Sequence, residues 1–167
     1  MERRGTPFSG VLYAGLMMTP DGPRVLEFNT RFGDPETQAL LPRLEDDALG
    51  LLTATADGEL PDRPVRVHDG AAVAVVLAAH GYPGTPRAGD VIEGLAEAAA
   101  TGAEVYHAGT APGRDGTVVT AGGRVLAVSA RGDSVADARA RAYAAAELVR
   151  FDGRQMRGDI ASGMDAA

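Results

Sequence analysis

Neither cysteine nor lysine occurs anywhere in the 167 residues. Without cysteine there is no disulfide framework and no thiolate nucleophile. Without lysine, all 16 cations are arginines, the mark of a GC-rich coding sequence and no guide to function. Basic charge is scarce: 23 acids leave a net charge of −7. Such a chain has no basic stripe to neutralise phosphates, so no nucleic-acid partner is expected. No apolar run approaches the ~20 residues of a membrane span, so no membrane partner is expected either. Met1-Glu2-Arg3-Arg4-Gly5 leads into no signal-type segment, and a cytoplasmic protein is the expectation. What is present, 45% hydrophobic residues, suffices for one good core or two small ones.

Residues 10–18 are apolar almost throughout, as in a strand covered on both faces. Thr19-Pro20-Asp21-Gly22-Pro23 is a turn, and residues 25–29 read as the second strand of a hairpin. Asp34-Pro35-Glu36 predicts a helix start, with an N-cap acid, proline at the first helical position and an acid in the first turn. The helix is expected over 34–44, interrupted at Pro42. A second is expected over 46–56, with Leu49, Leu52 and Ala56 at helical spacing. Glu45, Asp46 and Asp47 read as a solvated helix start.

Residues 61–69 read as a linker, and from Gly70 the pattern changes to short strands. They are expected over 71–79, 90–93, 104–107, 117–121 and 124–130, with Gly122-Gly123 as a two-residue hairpin loop. A helix over 135–149, capped by Ser134, puts Ala138, Ala142 and Ala145 on a face that closes over the strands. The second half is therefore an α+β unit over 70–161, and 162–167 is a tail.

The candidate chemistry lies at the end of the second strand. Side chains alternate along a strand, so Glu27 and Asn29 share one face while Leu26 and Phe28 point the other way. A carboxylate and an amide oxygen side by side can serve a hard cation such as Mg²⁺, with phosphates and water completing its shell. Taken alone, such a pair more commonly marks solvated strand-end polars. Arg31 follows, with a fork that fits phosphate or carboxylate. His80 and His107 lack a Cys or second His at ligand spacing and read first as structural, His107 having the better functional case beside Gly109-Thr110. His68 reads as solvated, and Tyr82 as a packing anchor or part of a cleft wall.

The longer strings carry a resemblance. G-V-L-Y-A-G-L-M (10–17) followed by E-F-N-T-R-F-G-D-P-E-T-Q (27–38) resembles the metal-binding strand of ATP-grasp ligases, and in particular the phosphoribosylamine–glycine ligase family. A-V-V-L-A-A-H-G-Y-P-G (74–84), V-Y-H-A-G-T (105–110), G-G-R-V-L-A-V-S-A (122–130) and F-D-G-R-Q-M-R-G-D-I (151–160) are similar to that family's C-terminal domain. The implied fold class is α+β: the end of an ATP-grasp domain over 1–60, then a small mixed strand/helix domain over 70–161. The implied chemistry is ATP-dependent joining of glycine to 5-phosphoribosylamine through a glycyl phosphate, in de novo purine biosynthesis. The resemblance gives Glu27 and Asn29 the metal (Mg²⁺ or Mn²⁺), gives Arg31 the migrating phosphoryl, and gives the Gly33-Asp34-Pro35 turn the acceptor side.

Many ATP-grasp proteins carry another metal-binding acid on the preceding strand; residues 11–18 hold none, a variant the ligase family shares. The resemblance also begins two-thirds of the way through the family's ATP-grasp domain. The phosphoribosylamine domain, the glycine-rich loop, the nucleotide-gripping lysines and the adenine pocket are therefore expected in a missing N-terminal part, making this chain a C-terminal fragment inactive alone. Another ATP-grasp ligase, or a non-catalytic remnant or interaction domain, is the alternative reading.

Overall fold

The computed structural model describes residues 1–164; residues 165–167, the end of the expected tail, lie outside the described residues. The chain forms two compact units. The first comprises Met1–Thr37 and Leu44–His68, the second Gln38–Arg43 and the chain from Asp69 onward.

In the first unit β1 (Tyr13–Thr19) and β2 (Gly22–Asn29) form a two-stranded antiparallel sheet. The ribbon turns at Pro20-Asp21, where Thr19 Oγ1 donates to Gly22 O at 2.7 Å. A bulge interrupts the register: Gly15 pairs with Glu27 but Leu16 pairs with Val25, which leaves Leu26 as the extra residue. The expected cover over both faces of the first strand is not there. Leu16 is 51% exposed, Met18 73% and Phe28 62%. The reason is that a two-stranded ribbon brings no second layer of its own. Among the described residues, every buried hydrophobic side chain lies in the second unit.

The helix expected over 34–44 is shorter. Asp34 and Pro35, joined by a cis peptide, form the turn ahead of α1 (Glu36–Leu40), so proline does not occupy the first helical position. After Leu40 a 3₁₀ turn, Leu41–Arg43, takes over, because Pro42 cannot donate into an α-helical ladder. In α2 (Ala48–Asp57), Asp47 caps the start by accepting from Leu49 N at 3.1 Å and Gly50 N at 3.0 Å.

Asp46 departs from the solvated reading: it is only 8% exposed. Its carboxylate accepts from Arg63 Nη1 at 2.8 Å and Nη2 at 3.1 Å, and from Arg66 N and Nε, both at 2.8 Å. These bonds tie the 61–68 stretch to the start of α2. The Arg63 guanidinium, then the Arg66 backbone N–H and side chain, holds the Asp46 carboxyl well below the usual carboxylate range. A depressed folded value means the stabilisation is full above the unfolded value, about 4, and is lost as pH falls below it. Acidification from about pH 5 to about pH 2 should therefore release the 61–68 amides to hydrogen exchange, and Asp46→Asn should abolish that pH dependence. Protection that ignores pH in the unaltered chain would disprove the tie.

The second unit holds the core. β3 (Ala71–Ala78), β8 (Arg124–Gly132) and β5 (Glu104–His107) form an antiparallel sheet in the order β3-β8-β5. Registers Val73↔Ala130, Val75↔Val128 and Leu77↔Leu126 set these side chains on one face. α4 (Val135–Leu148) packs on it with Ala138, Ala142 and Ala145, all fully buried. Ser134 caps α4 by accepting from Asp137 N at 3.1 Å. Arg154 closes its other end by donating to Ala146 O at 2.6 Å and Val149 O at 2.7 Å.

A second small sheet has the order β4-β7-β6, from Val91–Ile92, Val118–Thr120 and Thr110–Pro112. Gly122-Gly123 is thus no hairpin loop; it carries the chain from one sheet to the other. β8 is flanked by β3 and β5 along both edges, which leaves β7 no edge to pair with. A helix that periodicity did not predict, α3 (Leu95–Ala100), precedes β5.

Candidate functional site

The candidate site gathers at the end of β2. Registers Tyr13↔Asn29 and Gly15↔Glu27 place Tyr13, Glu27 and Asn29 on one face, while Ala14, Leu16, Met18, Val25 and Phe28 share the other. Asn29 Nδ2 donates to Glu27 Oε1 at 3.0 Å, so the amide and carboxylate lie side by side. Gly15 makes room for this: a Cβ there would stand 3.2 Å from Glu27 Cγ. Tyr13 OH donates to Glu36 Oε1 at 3.0 Å, which brings a second carboxylate to the group. That hydrogen bond, then burial and the charges of Glu36 and Glu27, raises the Tyr13 phenol above its ordinary value. Gly33 lies against the same side chain: a Cβ there would push the Glu36 carboxylate aside. Tyr13 and Glu36 are the residues that sequence reasoning missed. Only the cross-strand register could have pointed to Tyr13.

Arg31 is exposed, and its Nη1 donates to Phe32 O at 2.7 Å. Gly33 is buried, and its carbonyl accepts from Thr37 N at 3.1 Å and from the Thr37 hydroxyl. Asp34 is exposed and Pro35 half-buried. The five-residue α1 is too short to offer the anion-favouring terminus of a longer helix. Among the described residues no group of three or more His, Cys, Asp or Glu is arranged to hold a metal. One carboxylate and one amide oxygen nevertheless suit Mg²⁺ or Mn²⁺ where phosphates supply the remaining ligands.

The histidines lie elsewhere. His107 Nδ1 is 3.0 Å from Thr110 Oγ1, and exposed His80 lies against Gly153. The Tyr82 ring packs on Gly123, where a Cβ would meet its Cδ2 at 2.5 Å. The second unit also has a cavity of about 770 Å³, lined by Tyr106, Ser129, Arg131 and Asp133 among others. None of the sequence-predicted site residues lines it. Its one α4 arginine, Arg141, is already paired with Asp137 at 2.9 Å.

A hairpin ending in a carboxylate–amide pair, followed by an α+β unit, is the arrangement expected of the end of an ATP-grasp domain joined to a C-terminal domain. The fold alone is shared with the biotin carboxylase domain of Hydrogenobacter thermophilus 2-oxoglutarate carboxylase, solved with MgADP, at TM-score 0.54 and 17% identity over 86% of this chain and 32% of that one. The family follows from closer matches. Residues 72–163 match the phosphoribosylglycinamide synthetase C domain, and residues 1–37 its ATP-grasp (A) domain. The chain belongs to the phosphoribosylglycinamide synthetase, or phosphoribosylamine–glycine ligase, family. It is 57% identical to the phosphoribosylamine–glycine ligase of Streptomyces coelicolor over 97% of its own length, and spans 40% of that relative. The Thermotoga maritima ligase structure superposes at TM-score 0.79 with 38% identity, covering 95% of this chain and 39% of that one.

Proposed function

We propose that this chain supplies the metal-binding strand and C-terminal domain of a ligase that joins glycine to 5-phosphoribosylamine at the expense of ATP. The observation that carries the reading is the Glu27–Asn29 pair on the polar face of β2, within a chain so similar to the Streptomyces ligase. In the reaction a glycine carboxylate oxygen attacks the γ-phosphorus and ADP leaves; the 5-phosphoribosylamine nitrogen then attacks the acyl carbon and phosphate leaves. Neither step needs a side-chain nucleophile, which suits a chain without cysteine. Alignment and charge neutralisation are what the protein contributes.

Glu27 and Asn29 would hold the cation, and Tyr13 and Glu36 would keep that face of the hairpin in place. Mg²⁺ or Mn²⁺, when bound, supplies neutralisation of the charge on the β- and γ-phosphates. Arg31 gives up its single bond to Phe32 O and turns to the migrating phosphoryl. The Gly33-Asp34-Pro35 turn lines the acceptor side. The product places the reaction in purine (IMP) synthesis. The test is a chimera in which this chain replaces the matching region of the Streptomyces coelicolor ligase. ADP and phosphate should appear only when ATP, glycine and 5-phosphoribosylamine are all present. A folded chimera that turns over without glycine, or never turns over, would rule the reading out.

A further inference from the structure

We infer that the cavity of the second unit is a binding site for a free amino acid with a cationic side chain, separate from the β2 site. Its volume, about 770 Å³, lies in the range of small-molecule sites. Ser129 stands in its wall, fully buried, and the Ser129 hydroxyl has no hydrogen-bond partner. A buried hydroxyl left unpaired is costly, and a fold keeps one where something else satisfies it. The sheet is also open at this point. β3 runs beside β8 as far as Gly132, whereas β5 stops at the pair Glu104↔Ser129. Residues 130–132 therefore have no strand on the β5 side, and all three line the cavity. Backbone N–H and C=O groups on such an edge can take the carboxylate and the ammonium of a ligand.

The class of ligand follows from the charges at the rim. Exposed Asp69, Glu104 and Asp133 line the cavity together with exposed Arg131. Among the described residues, the Arg131 guanidinium and the Asp69 and Glu104 carboxylates have no ion-pair partner. The other lining cation, Arg141, is held by Asp137 at 2.9 Å. Three acids thus accompany one unpaired guanidinium. A metal ion does not suit them, since among the described residues no group of three acids is arranged to hold one. An amino acid with a cationic side chain has one carboxylate for Arg131 and two cations for the acids. Its methylenes would lie along Leu41 and Pro42. A simple anion leaves the acids unmatched, and a polyamine leaves Arg131 unmatched.

Calorimetric titration of L-arginine into the whole chain, and into its chimera with the Streptomyces coelicolor ligase, tests the site. Saturable one-to-one binding should appear in both and raise their melting temperatures. Agmatine, which is arginine without its carboxylate, should bind roughly tenfold more weakly. Arg131→Gln should weaken arginine by a similar factor and erase the difference between arginine and agmatine. Glu104→Gln should weaken both. Arg131 and Glu104 are exposed, so neither change should move the melting of the unliganded protein. Ser129→Ala should leave that melting unchanged or raised, because it removes an unpaired hydroxyl, yet lessen the rise that arginine brings. No binding to either protein, binding indifferent to both Arg131→Gln and Glu104→Gln, or tighter binding of agmatine or L-glutamate would overturn the inference. So would binding to the chain that vanishes in the chimera, because the cavity would then be filled by the rest of the ligase.

Discussion

Leu77→Ala should destabilise the second unit by about 2–5 kcal/mol, whereas Leu26→Ala in the isolated chain should shift stability by under about 0.5 kcal/mol. Leu77 is fully buried, pairs with Leu126 and faces α4, so truncation leaves a cavity that the sheet and helix cannot both collapse into. Leu26 is 65% exposed at the bulge, so little apolar area returns to water when it is cut back. In the sequence each leucine sits in a strand, Leu26 on the face of β2 turned away from Glu27 and Asn29. Denaturant unfolding of the two variants separates them. Equal losses would mean that the hairpin of the isolated chain is covered in solution.

The legible parts of the fold were those in which local pattern and tertiary environment agree. α4 was readable because Ala138, Ala142 and Ala145 recur at helical spacing behind a Ser134 cap, and the sheet they pack on is in the same chain. Residues 10–18 show the converse. Their composition is suited to a covered strand, but composition does not say which residues supply the cover, and within this chain Leu16, Met17 and Met18 are exposed. Gly122-Gly123 has hairpin chemistry, yet pairing is decided by which edges remain free, and β8 has none. Asp46 looked wet because its partners, Arg63 and Arg66, come 17 and 20 residues later. In the site, the alternation that joins Glu27 to Asn29 was visible. Their register against Tyr13 was not, because counting back from the Pro20-Asp21 turn without the bulge sets Glu27 opposite Ala14. The bulge at Leu26 moves it opposite Gly15, where there is space for its side chain.

In the chimera with the Streptomyces ligase, Glu27→Gln should lower the rate of ligation by about a hundred- to a thousand-fold, on the order of 3–4 kcal/mol of transition-state stabilisation. Glutamine keeps the length of the side chain and an acceptor oxygen for Asn29 Nδ2, so the 3.0 Å contact survives. Glu27 is exposed, so little packing is lost and folding should shift by under about 1 kcal/mol. What disappears is one negative charge from the proposed metal site, and a neutral amide would hold a hard cation more weakly just as charge moves between phosphates. Raising Mg²⁺ should therefore recover part of the rate in Glu27→Gln while leaving the unaltered chimera, already saturated, unchanged. Phe28→Ala, on the opposite face, should instead lower the stability of the chimera while its folded fraction turns over at the normal rate. Full activity in Glu27→Gln, or a loss that metal does not relieve, would remove the metal from this strand and leave Arg31 and the Gly33 turn without a phosphate to act on.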